Sequence, residues 1–339
     1  MVIALLRRYP NQQFYLFADQ KIANALKCES NLRICGSFKF FLSRCIGKIS
    51  KKLLRRINDG KTAKCDAAVR IGGSVFIERD NASQTYFPEK HSRYFYIGAN
   101  FGQYYSEKFF ETRKSRICAA QDCCFRDLYS YNLFKELNSV RYAPDVLFGY
   151  KYLPPTRKGD SIGISVIDFK SRSELADDSK TYVEGITAIC DYWTNKGKTV
   201  KLLSFCRDEG DEAASAEISK ACAHPKQVQL INYHGDVDLF INELNNCETI
   251  YATRFHAMVL GWTMEKNVIP IIYSDKQTRV IEDLKFGGDV WNILKGEQIS
   301  ERHLLSQNGR LTKPDIERLR ENADAQFYGL DKLIDEMSR

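Results

Sequence analysis

The chain has no apolar run approaching the roughly 20 residues that a membrane-spanning helix needs. Its eleven cysteines form no CxxC pair and no regular framework. It has only five histidines, and no His/Cys/Asp set has metal-ligand spacing. There is no P-loop, no GxSxG elbow, no internal repeat and no low-complexity tract. Glycine and proline are sparse, at 20 and 8 of 339 residues. These absences exclude a membrane bundle, a disulfide scaffold, a zinc module, a P-loop enzyme, a collagen-like fibre and wholesale disorder. An odd cysteine count without export signals reads as reduced thiols in a cytoplasmic protein. The start supports this, because the apolar residues up to Leu6 precede Arg7 and Arg8, the reverse of a secretory leader.

What is present is a globular composition, 44% apolar and 27% charged, long enough for about two domains of roughly 100–200 residues each. The net charge of +7 is unevenly spread: residues 1–60 carry +9 and the remainder −2. The excess centres on Lys39, Arg44, Lys48, Lys51, Lys52, Arg55 and Arg56. Over 37–57 a helix pattern puts Phe38, Phe41, Leu42, Cys45, Ile49 and Leu53 on one side and Arg44, Lys48, Lys51, Lys52 and Arg55 largely on the other. Such a helix packs its apolar face on a core or lies on an anionic membrane surface. The basic stretch is too short to indicate nucleic-acid binding.

Short β-branched or aromatic runs predict strands at 14–17, 67–71, 94–97, 117–119 and 123–125. A second series falls at 162–166, 199–205, 228–231, 249–252 and 268–273. Amphipathic stretches at 127–138, 178–195, 211–222, 236–246 and 256–266 predict helices between them. Strands alternating with helices imply βαβ units and parallel sheets, which bind ligands beyond the strand carboxyl ends. The segment 150–160, with Pro154-Pro155, reads as a linker. The expected organisation is therefore 1–150, 151–312 and a final helix over 313–339.

Several motifs fall where such sheets place their sites. Gly72-Gly73 follows a predicted strand and allows either close backbone approach to an anion or a tight turn. Gly98, in Ile97-Gly98-Ala99-Asn100-Phe101-Gly102, follows the next, where turn chemistry explains the spacing. Arg126-Asp127 ends a strand and opens a helix. Asp127 suits the N-cap, and Arg126 is suited either to hold an anion or to pair with a carboxylate. Asp145 follows Pro144 at the end of the first series. The sharpest signal is Thr253-Arg254-Phe255-His256-Ala257, at a strand end that opens a helix. Guanidinium, imidazole and the positive helix terminus together favour an anion, and histidine moves protons near neutral pH. The other four histidines have no such neighbours.

The ordered set Gly72-Gly73, Gly98, Arg126-Asp127 with Ser130, Pro144-Asp145 with Phe148, Arg254-Phe255-His256-Ala257, Pro270 and Tyr273-Ser274-Asp275-Lys276 resembles the polysaccharide pyruvyl transferase family. The resemblance covers about residues 65–285. It implies two Rossmann-like domains in a glycosyltransferase B-type arrangement, with the acceptor on the N-terminal side, the donor on the C-terminal side and the site in the cleft between them. It also implies transfer of the enolpyruvyl group of phosphoenolpyruvate to a saccharide, forming a pyruvate ketal. No metal or organic cofactor enters that scheme. Carried over, His256 is the catalytic acid, and Arg254, Phe255, Arg126 and Lys276 bind the donor. Gly72, Gly73, Gly98, Asp127, Ser130 and Asp145 frame the cleft. Two departures stand out. The family's first strand and Asn/Gly-rich loop are expected to be missing, since Met1-Val2-Ile3-Ala4-Leu5-Leu6 already reads as the end of the helix that follows them. Relatives also carry an arginine just after the 162–166 strand, where this chain has Ile167, with Lys170 and Arg172 as substitutes. A lipid-linked acceptor would give the basic helix a place on the inner membrane face. The alternatives are a nucleotide-sugar glycosyltransferase of the same fold and a non-catalytic scaffold of a polysaccharide-synthesis complex.

Overall fold

The structure, a computed structural model, describes residues 2–16, 30–34, 64–78, 91–152 and 159–339. The basic stretch 37–57 and most of the linker lie outside them. The chain divides into two compact units, Met1–Gly149 with Arg320–Arg339, and Tyr150–Leu319.

In the first unit α1 (Val2–Arg8) precedes β1 (Phe14–Leu16) and β2 (Leu32–Ile34), which pair in parallel. A second, all-parallel sheet has the order β3 (Ala68–Phe76), β4 (Tyr94–Phe101), β5 (Asp122–Phe125), β6 (Val140–Tyr142). Helices α2 (Glu107–Cys118) and α3 (Leu128–Phe134) flank β5 in sequence. Strand β4 is buried along its whole length and serves two cores. Phe95 and Ile97 pack with Leu5, Tyr9, Val146, Phe327, Leu330 and Leu333. Tyr94, Tyr96, Ala99 and Phe101 pack on the other face with Phe76, Phe125 and Phe134. The alternation changes phase at Gly98, whose φ of +67° accompanies a register shift against β5. Such a left-handed bulge position suits glycine because it has no Cβ to clash.

Four predicted elements are corrected here. Residues 117–119 are not a strand. Ser106 caps α2 by accepting the Phe109 N–H at 3.2 Å, and α2 runs on through Ile117, its one buried residue. The two glycine motifs do not follow their strands but lie inside them, since β3 continues to Phe76 and β4 to Phe101. The final stretch is two helices, α10 (Lys313–Ala323) and α11 (Tyr328–Met337), separated by a 3-10 turn at Asp324–Phe327. That turn sends Gln326 inward. Its amide donates to Ala143 O (2.6 Å) and Pro144 O (3.0 Å), and its Oε1 accepts the Gly98 N–H (2.8 Å).

The second unit is a six-stranded parallel sheet in the order β12 (Trp291–Asn292), β11 (Asn267–Ile272), β10 (Cys247–Ala252), β7 (Ser161–Val166), β8 (Val200–Ser204), β9 (Val228–Asn232). Counted from β7, this is the doubly wound dinucleotide order, with its switch point between β7 and β10. Helices α4 (Ser179–Asn195), α5 (Asp211–Ala221), α6 (Val237–Asn245), α7 (Phe255–Thr263), α8 (Asp275–Asp283) and α9 (Glu301–Leu305) follow the strands. β7 and β11 are buried at every position, as strands inside a sheet covered on both faces are.

His303 closes α9. Its Nδ1 accepts the Ser300 N–H at 3.1 Å, and its Nε2–H donates to Val290 O at 3.0 Å. Burial pushes its pKa below the ordinary 6.5 and neighbouring Arg302 adds to this, against the hydrogen bond to Val290 O and the attraction of Glu297 and Asp289. The unfolded chain therefore binds the proton first. Stability contributed by neutral His303 is present above about pH 6.5 and declines as pH falls below it. Thermal unfolding between pH 7.5 and 5.5 should show this slope, and His303→Gln should flatten it. An equal slope in the variant would remove His303 from the account.

Candidate functional site

The carboxyl ends of β7 and β10 carry the densest constellation of polar groups that the sequence pointed to. Ser165 of β7 lies beside Ala252 of β10. The next residues, Thr253 and Arg254, leave the strand extended, and Arg254 is the N-cap of α7. Buried side chains tie the neighbouring loops together. The Tyr182 hydroxyl accepts the Ile167 N–H (3.2 Å) and lies 3.0 Å from the Thr253 hydroxyl. The Gln277 amide donates to Thr253 O (2.8 Å) and Ile271 O (2.9 Å) and accepts the Tyr273 N–H (3.2 Å). The loops after β7, β10 and β11 are thus mutually braced before any ligand arrives.

Arg254 is held at several points. Its N–H donates to the Ser165 hydroxyl at 2.9 Å. Its Nε donates to Asp211 Oδ2 at 3.0 Å, and Nη2 donates to Asp211 Oδ1. Its Nη1 reaches Glu209 Oε2 at 2.5 Å. Asp211 is completely buried and also accepts the Phe205 and Cys206 N–H groups at 3.1 and 2.9 Å. It opens α5 directly after Gly210, whose φ is +84° and where a Cβ would run into Asp168. Burial works against the Arg254 charge, but the two carboxylates outweigh it and raise its pKa. Burial likewise opposes the Glu209 charge, yet Arg254 and Arg172 hold its carboxyl below the ordinary range.

Around this pair the cations gather. Arg172 Nη2 donates to the same Glu209 Oε2 at 2.6 Å. The Arg172 guanidinium and Lys276 Nζ lie 5.9 and 5.6 Å from the centroid of the Tyr273 ring. His256, in the first turn of α7, is exposed, and its ring meets Phe255 edge-on at 5.6 Å. Arg254, Phe255, His256 and Lys276 therefore share one end of one sheet. Of the two substitutes for the arginine expected after β7, Arg172 belongs to this cluster. Lys170 instead pairs with Glu217 at 2.5 Å, and Ile167 is fully buried in the core.

The first unit's expected residues are placed differently. Arg126 turns inward, its side chain 4% exposed, and pairs with Asp145 at 2.7 Å and Asn100 at 3.3 Å. Asp127 caps α3 by accepting the Ser130 N–H at 2.8 Å. The Ser130 hydroxyl accepts the Phe101 N–H at 2.7 Å. Asp145 also accepts the Leu147 N–H at 2.9 Å. Gly98 gives its N–H to Gln326, and Gly72 and Gly73 form a left-handed stretch within β3. These contacts build a scaffold at the carboxyl ends of β4 and β5, and Arg126 is buried within it. Among the described residues, no cluster of three His, Cys, Asp or Glu is placed to hold a metal.

The sequence profile of the polysaccharide pyruvyl transferase family matches residues 3–275. The chain belongs to that family and is a transferase. No curated protein matches it. Among solved structures, one described as a UDP-N-acetylglucosamine 2-epimerase from Listeria monocytogenes matches with a TM-score of 0.55 and 9% identity, over 96% of this chain and 92% of the other. S. aureus MnaA in complex with UDP matches with a TM-score of 0.52 and 12% identity, over 94% and 97%. At these identities the likeness is one of fold, the two-Rossmann-domain glycosyltransferase B type. No helix among the described residues is long and apolar enough to cross a membrane.

Asp211, Glu209 and Ser165 were not picked out from the sequence. The signal that would have found the two carboxylates is the acidic run Asp208-Glu209-Gly210-Asp211-Glu212 in the loop after a core strand that ends at Ser204, where a parallel sheet puts its site.

Proposed function

We propose that the protein transfers the enolpyruvyl group of phosphoenolpyruvate to a saccharide, with the donor held at the carboxyl end of the second unit's sheet. The observation that carries this is the Arg254-Phe255-His256 segment at the switch point of that sheet, with Arg172 and Lys276 beside it. A donor bearing a carboxylate and a phosphate needs fixed cations, and Arg254 is fixed from two sides. His256 gives a proton to the donor methylene, which becomes a methyl group. One saccharide hydroxyl attacks the electron-poor carbon. The C–O bond to phosphate breaks, and a second hydroxyl closes the ketal. Of the two hydroxyl protons, one restores His256 and the other leaves with phosphate. The residues themselves supply this acid chemistry, so no metal or organic cofactor is invoked. The acceptor is a cell-surface polysaccharide precursor, lipid-linked and met at the inner membrane face. The basic segment 37–57 supports that location by its charge.

The rival reading is a nucleotide-sugar transferase, which the fold shared with UDP-bound S. aureus MnaA favours. One experiment separates the two. Thermal unfolding is followed with phosphoenolpyruvate, with a UDP-sugar and with neither. A ligand at ~100 times its Kd adds about 2.7 kcal/mol. Stabilisation by phosphoenolpyruvate alone, lost in Arg254→Ala, is the expected result. Stabilisation by the UDP-sugar alone would overturn it.

A further inference from the structure

Glu209 places a carboxylate where an anionic ligand belongs. Its Oε2 receives Arg254 Nη1 at 2.5 Å and Arg172 Nη2 at 2.6 Å, so a single oxygen joins two guanidiniums brought by different loops. Two features distinguish it from Asp211, the other carboxylate on Arg254. Asp211 is completely buried, grips Arg254 through Nε and Nη2, and is itself fixed by two backbone N–H groups. Glu209 is 48% exposed at its side chain, more than either Arg254 at 13% or Arg172 at 23%. The anion is therefore the most solvent-facing member of the trio. It can leave without releasing Arg254, because Asp211 keeps its hold. Arg172 also has a donor to spare: its buried Nε–H has no acceptor among the described residues. Glu209 uses only one Arg172 nitrogen, whereas a ligand with several oxygens can use more, as guanidinium forks favour.

We infer that Glu209 is a resident counter-anion that the substrate's anionic group displaces from Arg254 and Arg172. This deepens the reading of Arg254 as the donor anchor and rests on it. Glu209 then acts as a selectivity element. A neutral or singly charged ligand gains little by replacing a carboxylate already in place. A phosphate-bearing ligand carries more charge and more acceptor oxygens, and it wins the exchange. Apparent affinity is reduced by the fraction of molecules in which the site is open. If Glu209 occupies it about nine-tenths of the time, removing its charge tightens binding roughly tenfold.

The test is calorimetric titration of wild type, Glu209→Gln and Arg172→Gln/Glu209→Gln with two probes, phosphoenolpyruvate and inorganic phosphate, at fixed ionic strength. The expected result is a roughly tenfold lower Kd for both probes in Glu209→Gln, with the gain lost in the double variant. Equal or weaker binding of both probes by Glu209→Gln overturns the inference. So does a gain that survives loss of Arg172. If phosphoenolpyruvate binds wild type and Glu209→Gln alike, the displacement fails while the donor reading stands. If only phosphate binds, and binds tighter to Glu209→Gln, the displacement stands and the donor reading fails. If neither probe binds either protein, both fall.

Discussion

Replacing His256 with Gln is expected to lower turnover about 10²–10⁴-fold, the range that a positioned acid contributes. Phosphoenolpyruvate binding should change little, because the cations that hold the donor, Arg254, Arg172 and Lys276, are untouched. Stability should also change little. His256 is exposed in the first turn of α7, and surface substitutions of this kind usually stay within ±0.5 kcal/mol. The helix does not depend on it for burial, since Phe255, Ala257, Met258 and Val259 carry that load. Phosphate release assayed with an acceptor, alongside a thermal melt, separates the possibilities. Lost turnover with an unchanged melt supports the acid. Full turnover would remove His256 from the mechanism, and a large fall in Tm would make its role structural.

Arg126→Met should instead cost about 3–5 kcal/mol of stability, the usual consequence of leaving one member of a buried ion pair alone. Both partners are almost wholly enclosed, at 4% and 2% side-chain exposure. Asp145 would keep the Leu147 N–H but lose the charge that justifies its burial. The companion variant Arg126→Met/Asp145→Asn should recover much of the loss, because the amide oxygen still accepts from Leu147 and no charge remains buried. Denaturant unfolding of the three proteins provides the comparison. A single variant that keeps its stability and loses phosphoenolpyruvate binding would return Arg126 to the donor site.

These two residues show what could be read from the sequence and what could not. Both stand at a strand end that opens a helix, and both were picked out as candidates. The local pattern located them correctly in their βαβ units, because a β-branched run followed by an amphipathic stretch reports local geometry. What separates them is a partner distant in the chain. Asp145 lies well beyond Arg126 in sequence, and only the parallel pairing of β5 with β6 brings the two regions together. The same holds for Asp211 and Glu209, which reach Arg254 because β8 and β10 flank β7 in space. The strand expected at 117–119 failed for a local reason. Three residues ending in Ala119 carry too little pattern to outweigh a capped helix that has already begun at Glu107. The glycine motifs were seen, but a bulge inside a strand and a loop after one look alike without the register of the neighbouring strand.

The contribution of Arg320–Arg339 to the first unit has a consequence for synthesis. Phe327, Leu330 and Leu333 complete the core that Leu5, Tyr9, Phe95 and Ile97 begin. Gln326 supplies the acceptor for a strand N–H otherwise left bare at Gly98. The second unit, by contrast, is one uninterrupted stretch. A ribosome adding about 5–20 residues per second therefore releases everything the second unit needs before the first can close. The usual order of maturation along a nascent chain is inverted. The half that emerges first cannot cover the whole of its β4 core until residues 320–339 have been made.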